Sequence, residues 1–132
     1  SLEAERDKNA PAYAGLGAVM LARNDLAGAE PLLRRALAID PSRSFAHHML
    51  ARVLLAQGRP EDAQRELEPV LEARPNDLDA RLTFIRIRMA EKKYAEIAAT
   101  VSDLLEKEDL LPPAIAQQLR PLAEKLSAEL SK

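Results

Sequence analysis

The chain has no cysteine and no tryptophan, and only two histidines, two phenylalanines, two tyrosines and four glycines. Without cysteine there is neither a disulfide nor a thiolate metal site, and no redox compartment is favoured. So few histidines and aromatic rings leave little material for other metal centres or for platforms on which bases could stack. Excess charge of one sign is missing too: 19 basic and 21 acidic residues are well mixed and sum to −2. A nucleic-acid interface needs a basic face, so this class is set aside. No apolar run approaches the roughly 20 residues of a membrane-spanning helix. No signal-peptide pattern opens the chain, which leaves its compartment undecided. Its 132 residues suffice for one compact domain or a short repeat array.

What the chain does have is a period. Leu16, Leu50 and Phe84 recur at one constant step, as do Leu33, Leu67 and Val101, then Leu37, Leu71 and Leu105, and the pair Pro41 and Pro75. A fixed period between roughly 20 and 50 residues marks stacked supersecondary units that cannot bury their apolar faces alone. Alanine, leucine, glutamate and arginine dominate, strand alternation is nowhere sustained, and the reading is all-α. Arginine outnumbers lysine, a bias that points weakly to a GC-rich bacterial source.

Capping and breaking residues divide the chain into helices. Asn9 and Pro11 are expected to open a first helix that runs to about Arg23. Asn24 and, one period later, Gly58 stand where a left-handed residue would end a helix. Further helices are expected over about 27–39, 44–57 (capped by Ser42 or Ser44), 60–73, 77–91 (capped by Asn76 or Asp77) and 94–107. A break at 110–113 precedes a last helix to Ser131. Pro121 falls inside it, yet Ile115, Leu119, Leu122, Leu126 and Leu130 form one stripe across the proline, so one kinked helix is preferred to two. Pro69 has Arg35 and Asp103 as repeat equivalents, which puts it on a solvated face.

The helix pairs carry a further pattern. Residues 10–43 place Tyr13, Leu16, Gly17, Met20, Ala29, Leu33, Ala36 and Pro41 at spacings that residues 44–77 repeat with His47, Leu50, Ala51, Leu54, Ala63, Leu67, Val70 and Pro75. This resembles the tetratricopeptide repeat (TPR) signature. Small residues at Gly17, Ala29, Ala51 and Ala63 would let paired helices approach closely while larger side chains fill the groove beside them. Residues 78–111 depart from the pattern. Ile85 and Ile97 stand where small residues belong, Arg81 and Arg88 replace apolar ones, and Asp109 replaces the closing proline. The third pair is therefore expected to be looser or differently angled. Residues 112–132 read as a capping helix or the first helix of a degenerate fourth repeat. Residues 1–9 read as a tail or the end of a preceding repeat. The expected fold is an all-α TPR-like solenoid of three helix pairs plus a C-terminal cap, coiled into a right-handed superhelix.

The resemblance implies a concave surface lined by the first helix of each pair. Its residues here are Ala14, Ala18 and Leu21, then Phe45, His48, Met49, Arg52 and Leu55, then Leu82, Arg86 and Met89. Arg52 and Arg86 are one period apart and would stack along the groove, where arginine suits a bidentate grip on a carboxylate. Phe45, Met49, Leu55 and Met89 would add adaptable apolar contact. The alternative is that the arginines form local salt bridges and the apolar residues pack between repeats. TPR co-chaperones that hold the C-terminal carboxylates of chaperones use lysine, asparagine and arginine at places that read Ala14, Ala18, Met49, Asp79 and Thr83 here, so that role is not expected.

Catalytic patterns are wanting. His47 and His48 are adjacent, point about 100° apart on a helix and cannot chelate one ion together. Gly15-Leu16-Gly17 lies mid-helix with no preceding strand. The acidic run Glu66, Glu68 and Glu72 reads as a solvated outer face. The expectation is a non-catalytic interaction scaffold without cofactor or metal, binding a protein or peptide with an acidic group, without nucleic-acid binding or membrane insertion. Self-association, or service as an accessory domain of a larger enzyme or secretion protein, is the alternative.

Overall fold

The computed structural model describes residues 2–132, with side chains from residue 9 onward. Among them lie seven α-helices, one short 3-10 helix and no strand. The helices are α1 (Leu2–Ala22), α2 (Leu26–Ile39), α3 (Ser44–Ala56), α4 (Pro60–Ala73), α5 (Leu78–Ala90), α6 (Tyr94–Glu106) and α7 (Pro113–Leu130), with the 3-10 turn Glu108–Leu110 before α7. Two compact units result, one ending at Pro75 and one from Asn76 to Lys132.

Within the first unit, α1 pairs with α2 and α3 with α4, and α3 packs back on both α1 and α2. Leu33, Leu50, Leu54 and Leu67 are fully buried there. The small residues act as the spacing suggested. A Cβ added to Gly17 would sit 2.6 Å from the Leu33 Cγ, so α1 and α2 meet at a distance that only glycine allows. Ala51, Ala29 and Ala63 are completely buried in the corresponding places.

The turn inside each pair repeats in detail. Asn24 (φ 61°), Gly58 (φ 77°) and Lys92 (φ 61°) all take the left-handed conformation. The amides of Asp25, Arg59 and Lys93 donate to the carbonyls of Met20, Leu54 and Arg88 at 2.8–2.9 Å. Each residue before them donates to Leu21, Leu55 or Met89 at 2.9–3.0 Å. These are Schellman closures, one per pair and each at the same place in the period. Lys92 was not marked by composition, because a lysine carries no turn signal.

Four sequence-based expectations change. The first helix opens at Leu2 rather than at Asn9 and Pro11, because residues 2–8 are all good helix formers and carry the helix through Pro11. Neither Ser42 nor Ser44 caps α3. The Asp40 carboxylate accepts from the Ser42 amide (3.2 Å) and hydroxyl (2.7 Å), so Ser42 is used in closing the loop, and Ser44 is already helical. Asp77, not Asn76, caps α5, accepting from the Ala80 amide at 3.2 Å. Leu130 is exposed, so the buried stripe of α7 ends at Leu126. That helix is otherwise continuous through Pro121. Pro69, Arg35 and Asp103 are exposed, as their shared register required.

In the second unit, Leu82, Ile85 and Met89 of α5 share one core with Ile97, Val101 and Leu104 of α6 and with Ile115, Leu119 and Leu126 of α7. Ile85 and Ile97 are completely buried in the slots that glycine and alanine fill in the first unit. As a result, α5 and α6 run close together over much less of their length than α1 and α2 do. The looser third pair expected from these isoleucines is present. α7 packs on both helices and fills the space beside them. Where the closing proline is absent, the 3-10 turn carries the chain into α7, with Glu108 ion-paired to Arg120.

Candidate functional site

Charge is sorted by helix in the first unit. From Asn9 to Ala22, α1 has no ionisable residue other than Tyr13, and α3 has Arg52 and the two histidines but no acid. The acids lie on the second helices, with Glu30 on α2 and Glu61, Asp62, Glu66, Glu68 and Glu72 on α4. Because α1 and α3 are packed side by side, they present a surface without carboxylates while the other helices carry them. An anionic ligand approaching this surface meets no repulsion from its own helices.

Phe45, His48, Met49, Arg52 and Leu55 recur at intervals of three and four residues and therefore share one face of α3. Phe45 is 49% exposed, an unusual state for a large aromatic side chain. Arg52 is exposed, its guanidinium resting against Met49 with Nη1 3.8 Å from the sulfur. His48 and Leu55 are half-buried, and Met49 is buried. On α1, Ala18 and Leu21 are half-buried and Ala14 is buried. The structure thus leaves an aromatic ring and a guanidinium open on one face, two helical turns and about 10 Å apart.

The second unit is different. Leu82 (2% exposed) and Met89 (7%) belong to its core beside the residues of α7 and offer no open surface. Their expected place in a groove did not allow for the packing of α7 on α5. Arg86 is half-buried and donates from Nη2 to the Gln118 side chain of α7 at 3.1 Å. For Arg86, the local-contact alternative describes the geometry.

Polar links hold the loops behind this surface. His47 places Nδ1 2.9 Å from the Glu66 carboxylate and Nε2 2.7 Å from the Pro41 carbonyl. Both partners are acceptors, so a ring with protons on both nitrogens bonds them together, and a neutral ring bonds one. Glu66 is therefore more than part of a solvated acidic face. The motif position of His47 gave no hint of this, since its partners lie in the preceding loop and on α4. Glu30 gathers Arg34 (2.9 Å), Gln57 (3.1 Å) and Arg59 (3.3 Å), tying α2 to the α3–α4 turn. The hydrogen bond from Arg34 lowers its carboxyl pKa, against the opposing effect of desolvation and with help from Gln57 and the charge of Arg59. In the second unit, Arg88 lies 4.9 Å from the Phe84 ring centroid and 3.3 Å from Glu91. This lets an arginine occupy a slot that is apolar in the other pairs. Among the described residues no three histidine, aspartate or glutamate side chains come together as a metal site would require. No described helix is long and apolar enough to cross a membrane.

The tetratricopeptide repeat family matches this chain over residues 20–77 and again over residues 54–119. The chain belongs to the tetratricopeptide repeat family. Its all-α helix pairs are accordingly of the TPR solenoid class, and TPR domains generally mediate contacts between proteins. A relative, the cellulose synthase operon protein C of Pseudomonas fluorescens (strain SBW25), is 33% identical over 76 residues. That match covers 56% of this TPR chain and 6% of the relative, so the chain spans a small fraction of the relative's length. No solved structure matches the chain.

Proposed function

We propose that this TPR chain is a non-catalytic protein-binding scaffold whose first unit takes a peptide or helix bearing an acidic group against the face formed by α1 and α3. The observation that carries this reading is the segregation of charge: this face has an exposed arginine and no acid, beside α2 and α4 with six carboxylates. Arg52 supplies the donors for a carboxylate. Phe45 supplies the apolar anchor, and the half-buried His48, Leu55, Ala18 and Leu21 border them. Arg86, Leu82 and Met89 are left out of the contact set because the second unit already engages them. The name of the Pseudomonas relative supports placing the scaffold in a larger bacterial assembly, of envelope or secretion type.

The test is a selection of displayed peptides on the intact chain, followed by titration of the enriched sequences. The expected sequences contain an aspartate or glutamate spaced from an apolar residue. Arg52→Ala weakens their binding about tenfold or more, as loss of a charge-assisted hydrogen bond should. Enrichment of peptides without acids, or equal binding by Arg52→Ala, would refute the proposal.

A further inference from the structure

A different face of α1 carries apolar side chains that nothing in the first unit covers. Ala12, Leu16 and Val19 are spaced by four and three residues, forming one stripe. Ala12 is exposed, Leu16 is 50% exposed and Val19 is 47% exposed. One period later, Ala46, Leu50 and Val53 on α3 hold the same register and are all completely buried. α3 packs on α1 and α2, so the molecule itself shows what this register meets when it is covered. In that contact a pair of helices carries buried Ala29, Leu33 and Ala36 on its second member.

We propose that the α1 stripe is a stacking face for one further helix pair of this same repeat chemistry, carried in the same polypeptide. Three observations choose this occupant. The stripe repeats, residue class for residue class, the one that α1–α2 cover on α3. It is also uncharged, since α1 has no charged side chain from Asn9 to Ala22, so a neighbour meeting it must be apolar. Finally, a stripe of three side chains falls well short of the roughly 800 Å² per partner of a stable interface between separate molecules. A tethered pair does not face that threshold, because its effective concentration is set by the connecting loop. This inference concerns a face other than the proposed peptide surface and does not depend on it.

The experiment compares the chain of 132 residues with an extended form in which a second copy of Ala10–Arg43 replaces residues 1–9 directly ahead of Ala10. In the extended form we expect added helical circular dichroism and a higher Tm. The α1 amides should exchange with solvent at least about tenfold more slowly. Leu16→Glu with Val19→Glu in the original α1 should reverse that gain, yet leave the Tm of the unextended chain nearly unchanged. If the double substitution is silent in both forms, or if the added pair contributes no helical signal, the proposal is overturned. An unextended chain that is dimeric by light scattering and becomes monomeric with Leu16→Glu and Val19→Glu would assign the face to a second copy, and also overturns it.

Discussion

Gly17, Ala51 and Ile85 stand at one position of three successive helix pairs, opposite Leu33, Leu67 and Val101. In the first unit the small member lets the helices close on each other, until at Gly17 there is no room even for a methyl group. In the second unit isoleucine holds the pair apart, and both Ile85 and Ile97 become core residues packed with a third helix. The same period thus serves two ways of burying apolar surface, by close backbone approach in one unit and by side-chain bulk plus α7 in the other. The functional difference runs parallel. α3 keeps Phe45 and Arg52 open, whereas α7 packs on α5 and engages Arg86 and Met89.

The difference can be broken most severely in the second unit. Ile85→Ala or Ile97→Ala leaves a cavity where no backbone approach compensates, and each should cost about 2–5 kcal/mol. Hydrogen exchange should show the loss in residues 76–132 and little in the first unit. Next in size is Gly17→Ala, which drives a methyl group into Leu33 and should cost about 1–3 kcal/mol in chemical denaturation. Leu33→Val in the same chain should recover part of it, a coupling that a double-mutant cycle would detect. Smaller still is the turn. Lys92→Gly should stabilise the second unit by about 1 kcal/mol by removing a strained left-handed residue, and Gly58→Ala should cost the first unit a similar amount.

The smallest effect is that of pH on Glu30. Its carboxyl pKa is lower in the folded chain than its ordinary value, so its contribution is fully present above the unfolded pKa. That contribution is lost as pH falls through the folded value. The Tm gap between wild type and Glu30→Gln should be no more than about 5 °C near neutrality. It should shrink steadily as the pH drops below about 4.5.

Much of the fold could be read directly from spacing. Leu33, Leu50 and Leu67 are buried as their recurrence required, and Asn24 and Gly58 end their helices with positive φ. Ile85 and Ile97 correctly marked where the pairs open, because side-chain volume is a local property. What escaped the sequence depends on partners far along the chain. The burial of Leu82 and Met89 follows from α7, which lies beyond the whole of α6, and the bonds of His47 follow from loop geometry. Leu16 recurs with Leu50 but is exposed, since periodicity assigns a register and not the neighbour that covers it.

The contrast between an open first unit and a self-covered second unit is tested most directly by titrating one selected acidic peptide into four proteins: wild type, Phe45→Ala, Arg52→Ala and Arg86→Ala. The account predicts that Phe45→Ala and Arg52→Ala each raise Kd about tenfold or more, while Arg86→Ala changes it less than about twofold. Equal losses at Arg52 and Arg86, or a loss at Arg86 alone, would contradict it.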